Sequence, residues 1–230
     1  IKAMRSYIIV AFTLFVLLAA GCATRFIGDF EADTAGSLPD TMPAGAPDDQ
    51  IYVLTIGSGN ISVSASNAID GSQSLRISGP SVADPNGVGN KAVFMYAEEI
   101  TSSDQRLYAN WNGLITADTG VVARFFSGHF ATLVELKFED GNIKVAGDII
   151  GTYTANQVHT VLINVDPTTD TYNVSVIGAV SSGANTSGSI PDPGDLPTEN
   201  IGLTFNLTKG GSSASYTIDT VRMSERDPGR

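Results

Sequence analysis

Charged side chains recur at alternate positions in the run Ala131–Glu139. Glu135 and Glu139 share one face of an extended strand, with Lys137 between them. Retaining glycoside hydrolysis needs two carboxyls about 5–5.5 Å apart. These two backbones would stand roughly 13 Å apart along a strand. Glu135, Lys137 and Glu139 therefore read as a solvated face with cross-paired charges, and no catalytic residue is assigned. The histidines are His129, in a loop beside Gly128, and His159, in phase with Val161, Ile163 and Val165. That phase makes His159 a half-buried structural residue. Two histidines and one cysteine argue against a zinc site. The chain has no serine nucleophile elbow and no phosphate-cradling glycine loop with a lysine.

Sugar binding asks for aromatic faces beside polar groups. Tyr96, Tyr108, Trp111, Phe125 and Phe126 are the aromatic candidates. Alternation places Arg106, Tyr108 and Asn110 on one face and Leu107, Ala109 and Trp111 on the other. The first set is a binding row and the second is core. With Glu135 and Lys137, Arg106, Tyr108 and Asn110 form the expected ligand set. Phe125 and Phe126 point oppositely, which predicts one in the core and one exposed or under a loop.

The elements that must carry these residues read as strands. After the first twenty residues no helix-period apolar pattern exceeds about two turns. Short runs rich in Val, Ile, Thr, Phe and Tyr recur between turn residues. Strands are predicted at Ile51–Ile56, Ile61–Ser66, Ser74–Ser78, Ala92–Glu98, Leu107–Trp111 and Val121–Phe126. Six more are predicted at Ala131–Glu139, Ile143–Ile150, Val158–Val165, Tyr172–Ile177, Ile201–Leu207 and Ser215–Met223. Val158–Val165 is apolar on both parities and reads as a central strand covered on both sides. Glu139-Asp140-Gly141-Asn142 and Asp166-Pro167-Thr168-Thr169-Asp170 are hairpin turns; aspartate side chains can bond the local backbone in the second. The pattern is that of an all-β antiparallel sandwich.

The front of the chain has a different signature. Lys2 and Arg5 precede the uncharged apolar run Ile8–Ala20, which is too short to cross a bilayer comfortably. Leu18-Ala19-Ala20-Gly21-Cys22 resembles the lipobox of bacterial lipoproteins. The resemblance implies a signal peptide over 1–21, lipidation of Cys22, and a short tether at 22–25. It also implies an extracytoplasmic protein, with Met4 as the natural start. Ala23, rather than Asp, after the cysteine implies the outer membrane or cell surface. Cys22 is the only cysteine, so no disulfide can form within the chain. Without Lys2 and Arg5, 11 of the 13 basic residues remain against 24 acidic ones, a net charge of −13. Such a balance repels nucleic acid and suits calcium and neutral or cationic ligands better than acidic polysaccharides.

The hairpin Val158-His159-Thr160-Val161-Leu162-Ile163-Asn164-Val165-Asp166 with Thr171–Gly178 resembles the late hairpin of concanavalin A-like (LamG-like) jelly-roll domains. Asp29-Phe30-Glu31, Gly71–Leu75 and Tyr216–Val221 are similar to segments of jelly-roll carbohydrate-binding modules. The resemblance implies one jelly-roll domain over 26–224, with a polar tail at 225–230. It also makes the first and last strands neighbours. Asp29, Glu31 and Asp219, with carbonyls of the Gly71–Ser74 turn, would then hold a structural calcium. Asp219 is in phase with Val221 and Met223, so a bare charge there would be costly. Bonds to backbone amides, a nearby arginine, or a bulge turning Asp219 outward are the alternatives. The Glu-x-Asp-x-Glu pattern of the superfamily's hydrolases is missing. Gln157-Val158-His159 matches a short lyase motif, but the arginine and tyrosine strands of that constellation are absent. The functional expectation is a non-catalytic domain holding a glycan or a surface protein. The alternatives are a structural or assembly lipoprotein and a glycoside hydrolase or polysaccharide lyase.

Overall fold

The computed structural model describes residues 26–39, 61–79, 90–96, 106–127, 131–178, 180–181, 184–191 and 201–224. Residues 1–25, Cys22 included, lie outside the described residues, as do the strand predicted at Ile51–Ile56, His129 and the tail at 225–230. No helix occurs among the described residues.

Among the described residues, fourteen strands form two antiparallel sheets. They are β1 (Phe26–Gly28), β2 (Ile61–Ser64), β3 (Ser74–Ser78), β4 (Asn90–Tyr96), β5 (Leu107–Ile115), β6 (Gly120–Ser127) and β7 (Ala131–Glu139). Then follow β8 (Asn142–Val145), β9 (Asp148–Thr152), β10 (Val158–Asp166), β11 (Thr171–Gly178), β12 (Asn185–Ser189), β13 (Ile201–Lys209) and β14 (Ser215–Ser224). The larger sheet has eight strands in the order β12-β11-β10-β5-β14-β3-β2, with β1 also on β14; the other has six in the order β4-β13-β6-β7-β8-β9.

Period-2 patterning decides which side chains enter the sandwich. On β5 every second residue from Leu107 to Ile115 is buried, and on β7 Val134, Leu136 and Phe138 face inward. The core is aromatic at its centre. Trp111 meets Phe205 edge to face with ring centroids 5.0 Å apart, and Phe205 meets Phe94 the same way at 5.7 Å.

Four expectations are corrected. The run Ile143–Ile150 is not one strand: Ala146 and Gly147 adopt φ of 50° and 93° and turn the chain into the β8–β9 hairpin. β10 is central but covered on one side only; Val158 and Leu162 are 40% and 41% exposed. Phe125 and Phe126 are both buried, because a bulge between them in the β6–β7 ladder breaks the simple alternation. His159 is fully rather than half buried. The Asp140-Gly141 turn has the expected positive φ at both residues. In the other turn Asp166 accepts the Thr168 amide at 3.0 Å and its hydroxyl at 2.6 Å.

Candidate functional site

The two outer faces of the sandwich differ in kind. On the six-stranded sheet, β6 and β7 align Arg124 with Glu135 and Val122 with Lys137. Arg124 Nε reaches Glu135 Oε2 at 2.6 Å, and Lys137 and Lys144 flank Glu139 at 3.0 and 3.7 Å. This is the cross-paired face expected from the spacing. Each carboxylate answers a cation, as an exposed structural ladder does.

On the eight-stranded sheet the outward residues are mostly uncharged. Tyr108, Asn110 and Asn112 point out from β5, while Leu107, Ala109 and Trp111 point in. Arg106 precedes β5, and its Nε pairs with Asp166 at 3.1 Å. The Thr168 hydroxyl and then its amide, with Arg106, hold the Asp166 carboxyl below its usual range. The expected ligand set is therefore divided. Arg106, Tyr108 and Asn110 lie together on the outer face of the larger sheet. Glu135 and Lys137 lie on the opposite outer face, because β5 and β7 belong to different sheets. Residue spacing could assign a face within each strand but not which sheet the strand would join.

The first and last strands are neighbours, as expected: β1 pairs with β14 from Phe26↔Met223 to Gly28↔Val221. Beside this pairing a pocket of about 180 Å³ is lined by Asp29, Glu31, Asp70, Gly71, Asp219 and Thr220. A bulge between Asp219 and Arg222 shifts the phase of β14, and Thr220 takes φ of 50°. Tyr216, Ile218, Val221 and Met223 thus stay in the core while Asp219 turns the other way. Its Oδ2 accepts the Asp70 amide at 3.0 Å and the Ser74 hydroxyl at 2.7 Å, and its Oδ1 accepts the Thr220 amide at 2.7 Å. Burial raises the Asp219 pKa, and these donors oppose the rise.

Glu31 closes the same pocket. Its carboxylate accepts the Ser72 hydroxyl at 2.6 Å and the Ser72 and Gln73 amides at 2.9 and 3.0 Å. The hydroxyl first, then the amides, holds Glu31 below the usual carboxylate range. Gly71 makes room for it: a Cβ there would meet Glu31 Oε1, and the residue's φ of 66° already favours glycine. Asp29 accepts the Glu31 amide at 3.3 Å. Asp70 belongs to this group and was missed in the sequence. Its neighbours Gly71 and Ser72 mark a turn, but nothing local reveals that the turn faces Asp219 across 149 residues. In donor chemistry the pocket fits a hard cation, since carboxylate oxygens line it. Among the described residues, however, no three acids stand close enough together to hold an ion by themselves.

A third polar group lies in the core. Trp111 Nε1 donates to the Tyr216 hydroxyl at 2.7 Å, and that hydroxyl is 3.1 Å from His159 Nε2. The hydroxyl, which accepts from the indole, donates to Nε2 when the neutral imidazole carries its hydrogen on Nδ1. Nδ1 is buried without a hydrogen-bond partner among the described residues, and the nearby Gln157 backbone only partly offsets the effect of burial. Burial pushes the imidazole from 6.5 down to about 4. The Phe138 and His159 rings stack with centroids 4.8 Å apart. This Tyr–His pair sits between the sheets, where a polysaccharide cannot reach it.

No protein-family model matches the sequence, and no match to a curated protein is significant. Solved structures match over most of the chain. A GH131 β-glucanase catalytic domain from Podospora anserina is 12% identical, with a TM-score of 0.58, over 89% of this chain and 97% of its own. The lectin UEA-II complexed with galactose is 12% identical, with a TM-score of 0.51, over 86% of this chain and 99% of its own. A sialidase is 15% identical, with a TM-score of 0.60, over 90% of this chain; the chain spans only 19% of that protein's length. At these identities the likeness establishes architecture, and lectins and glycan-cleaving enzymes share it. The fold is a concanavalin A-like jelly roll: two antiparallel sheets facing one another across a single core.

Proposed function

We propose that this chain is a non-catalytic glycan-binding domain, carried on the cell surface by a lipid anchor at Cys22. The observation that carries the binding reading is the outer face of the eight-stranded sheet. There Tyr108 presents an aromatic ring beside Asn110 and the Arg106–Asp166 pair, on a surface of amides and hydroxyls. Aromatic faces stack on the C–H faces of pyranoses, and amides bond their hydroxyls. The lectin and glucanase of the same architecture support a carbohydrate ligand.

The non-catalytic part of the reading rests on how the acids and the Tyr–His pair are used. Glu135 and Glu139 are held by cations on an exposed ladder. His159 and Tyr216 are buried. The anchor rests on the order of residues from Leu18 to Cys22. Metabolic labelling with a tagged fatty acid tests it, with Cys22→Ser as the unlabelled control.

Affinity electrophoresis or a glycan array tests the binding reading. A glycan should bind, and Tyr108→Ala should weaken it without moving the melting temperature. Absence of binding across a broad panel overturns the proposal. One observation favours a second reading, a lipoprotein that docks another protein: Val158, Leu162 and Ile177, 40–50% exposed, share the same outer face. Native mass spectrometry of membrane extracts would then show a stoichiometric partner.

Calcium is proposed as a structural ion in the pocket beside β1. Asp29, Glu31 and Asp219 would hold it only together with carbonyls of the Gly71–Ser74 turn, with Asp70 beside them. Bound there it would tie the two ends of the sandwich together.

A further inference from the structure

On the larger outer face the registers of four adjacent strands align two transverse rows. Ser187 on β12 stands opposite Asn173 on β11, Asn173 opposite Asn164 on β10, and Asn164 opposite Tyr108 on β5. In the next row Asn185, Ser175, Leu162 and Asn110 follow one another in the same way. Strands spaced 4.7–4.9 Å apart make each row roughly 14 Å long. At the β11–β12 end the rows meet an open cavity of about 480 Å³ lined by Asn173, Val174, Ser175, Asn185, Thr186 and Ser187.

The chemistry of these positions is uniform. Seven are amides or hydroxyls, the eighth is the 41% exposed Leu162, and none is charged. Among the described residues, the Asn164, Asn173 and Asn185 amides and the Ser175 and Ser187 hydroxyls make no hydrogen bond within the chain. Each amide offers a donor pair and an acceptor side by side, which suits a sugar hydroxyl that both gives and takes. Among the described residues, the bordering charges include the mutually neutralising Arg106–Asp166 pair and Arg222, opposite Asn110. The chain as a whole carries −11, which repels polyanions.

We infer that the ligand is an electrically neutral polysaccharide lying across the strands, from Tyr108 over Asn164 and Asn173 into the β11–β12 cavity. The inference rests on the glycan-binding reading and adds the ligand's charge class and its path. Asn173 and Asn185 become contacts three and four strands along the row from β14, on strands the Arg106–Asn110 segment does not touch.

The test uses the full chain in detergent. Neutral polysaccharides (xyloglucan, galactan, mixed-linkage β-glucan) and acidic ones (alginate, polygalacturonate) are titrated at low and high salt. A neutral polymer should bind with an affinity indifferent to salt. Asn173→Ala with Asn185→Ala should weaken it roughly tenfold, with melting unchanged. Loss on Tyr108→Ala with no loss in the double variant would overturn the path and leave the glycan-binding reading standing. Salt-sensitive binding of acidic polymers alone would overturn the charge class. Binding to none of the polymers would overturn both inference and reading.

Discussion

The Tyr216 hydroxyl stands between Trp111 Nε1 and His159 Nε2, accepting from the indole at 2.7 Å and lying 3.1 Å from the imidazole. It is a buried polar relay that is open at the His159 Nδ1 end. Tyr216→Phe removes the middle member and leaves a buried N–H and a buried imidazole nitrogen without partners. A cost of about 1–3 kcal/mol is expected in urea denaturation. A loss below 0.5 kcal/mol would show that the relay contributes little.

Acid should weaken the fold through His159. The imidazole takes up a proton near pH 6.5 when unfolded but only near pH 4 when folded. Between those values the unfolded chain binds more protons, so stability falls as pH falls. The contribution is whole above pH 6.5, and the decline ends near pH 4, after a loss of about 3 kcal/mol. Glu31, whose pKa is lowered, adds to acid sensitivity only below about pH 4.5. Unfolding free energies at pH 7 and pH 5 should therefore differ in the wild type and converge in His159→Phe.

Gly113 is the position that admits this relay. A Cβ there would meet Tyr216 Oη and His159 Nε2. Gly113→Ala should destabilise by about 1–3 kcal/mol through overpacking, read as a lowered urea midpoint with an unchanged slope. A Gly113→Ala/Tyr216→Phe variant as stable as Tyr216→Phe alone would confirm that the hydroxyl is the obstacle.

Much of this architecture is legible in the sequence, and the legible part has a physical cause. Alternation from Leu107 to Trp111 places Tyr108 outward and Trp111 inward because the pleat has period two. The Asp140-Gly141 turn shows itself through residues that tolerate positive φ. The illegible part is non-local. Glu135 and Tyr108 carry the right face within their own strands, yet sheet membership puts them on opposite sides of the molecule. The bulge at Asp219 reverses the parity of β14, so the phase of Asp219 with Val221 misleads. The groups that meet Asp219, the Asp70 backbone amide and the Ser74 hydroxyl, lie 149 and 145 residues away in the sequence.

Asp219 is buried, so losing its carboxylate should be costly. Asp219→Ala strands the Ser74 hydroxyl and the Asp70 amide, for a loss of about 1–3 kcal/mol. Asp219→Asn keeps an acceptor oxygen and should lose less. Equal losses in the two variants would point to the charge rather than the hydrogen bonds.

Calcium should raise the melting temperature if it occupies the pocket. At a hundred times its dissociation constant, a folded-state ligand adds about 2.7 kcal/mol. Differential scanning calorimetry with calcium, magnesium and a chelator at equal ionic strength measures this. The calcium shift should vanish in Asp219→Asn, and identical midpoints in all three buffers would remove the ion from the account.

The short pairing of β1 with β14 also defines how the domain bears load. A pull on the chain before Phe26 enters the sandwich through three residue pairs, Phe26↔Met223, Ile27↔Arg222 and Gly28↔Val221. Immediately behind them Glu31 grips Ser72 and Gln73. The ladder and the carboxylate clasp act in series, so the clasp is the latch that resists unzipping once β1 has peeled away. In a domain anchored at Cys22, as proposed, that corner would be the first to take the load.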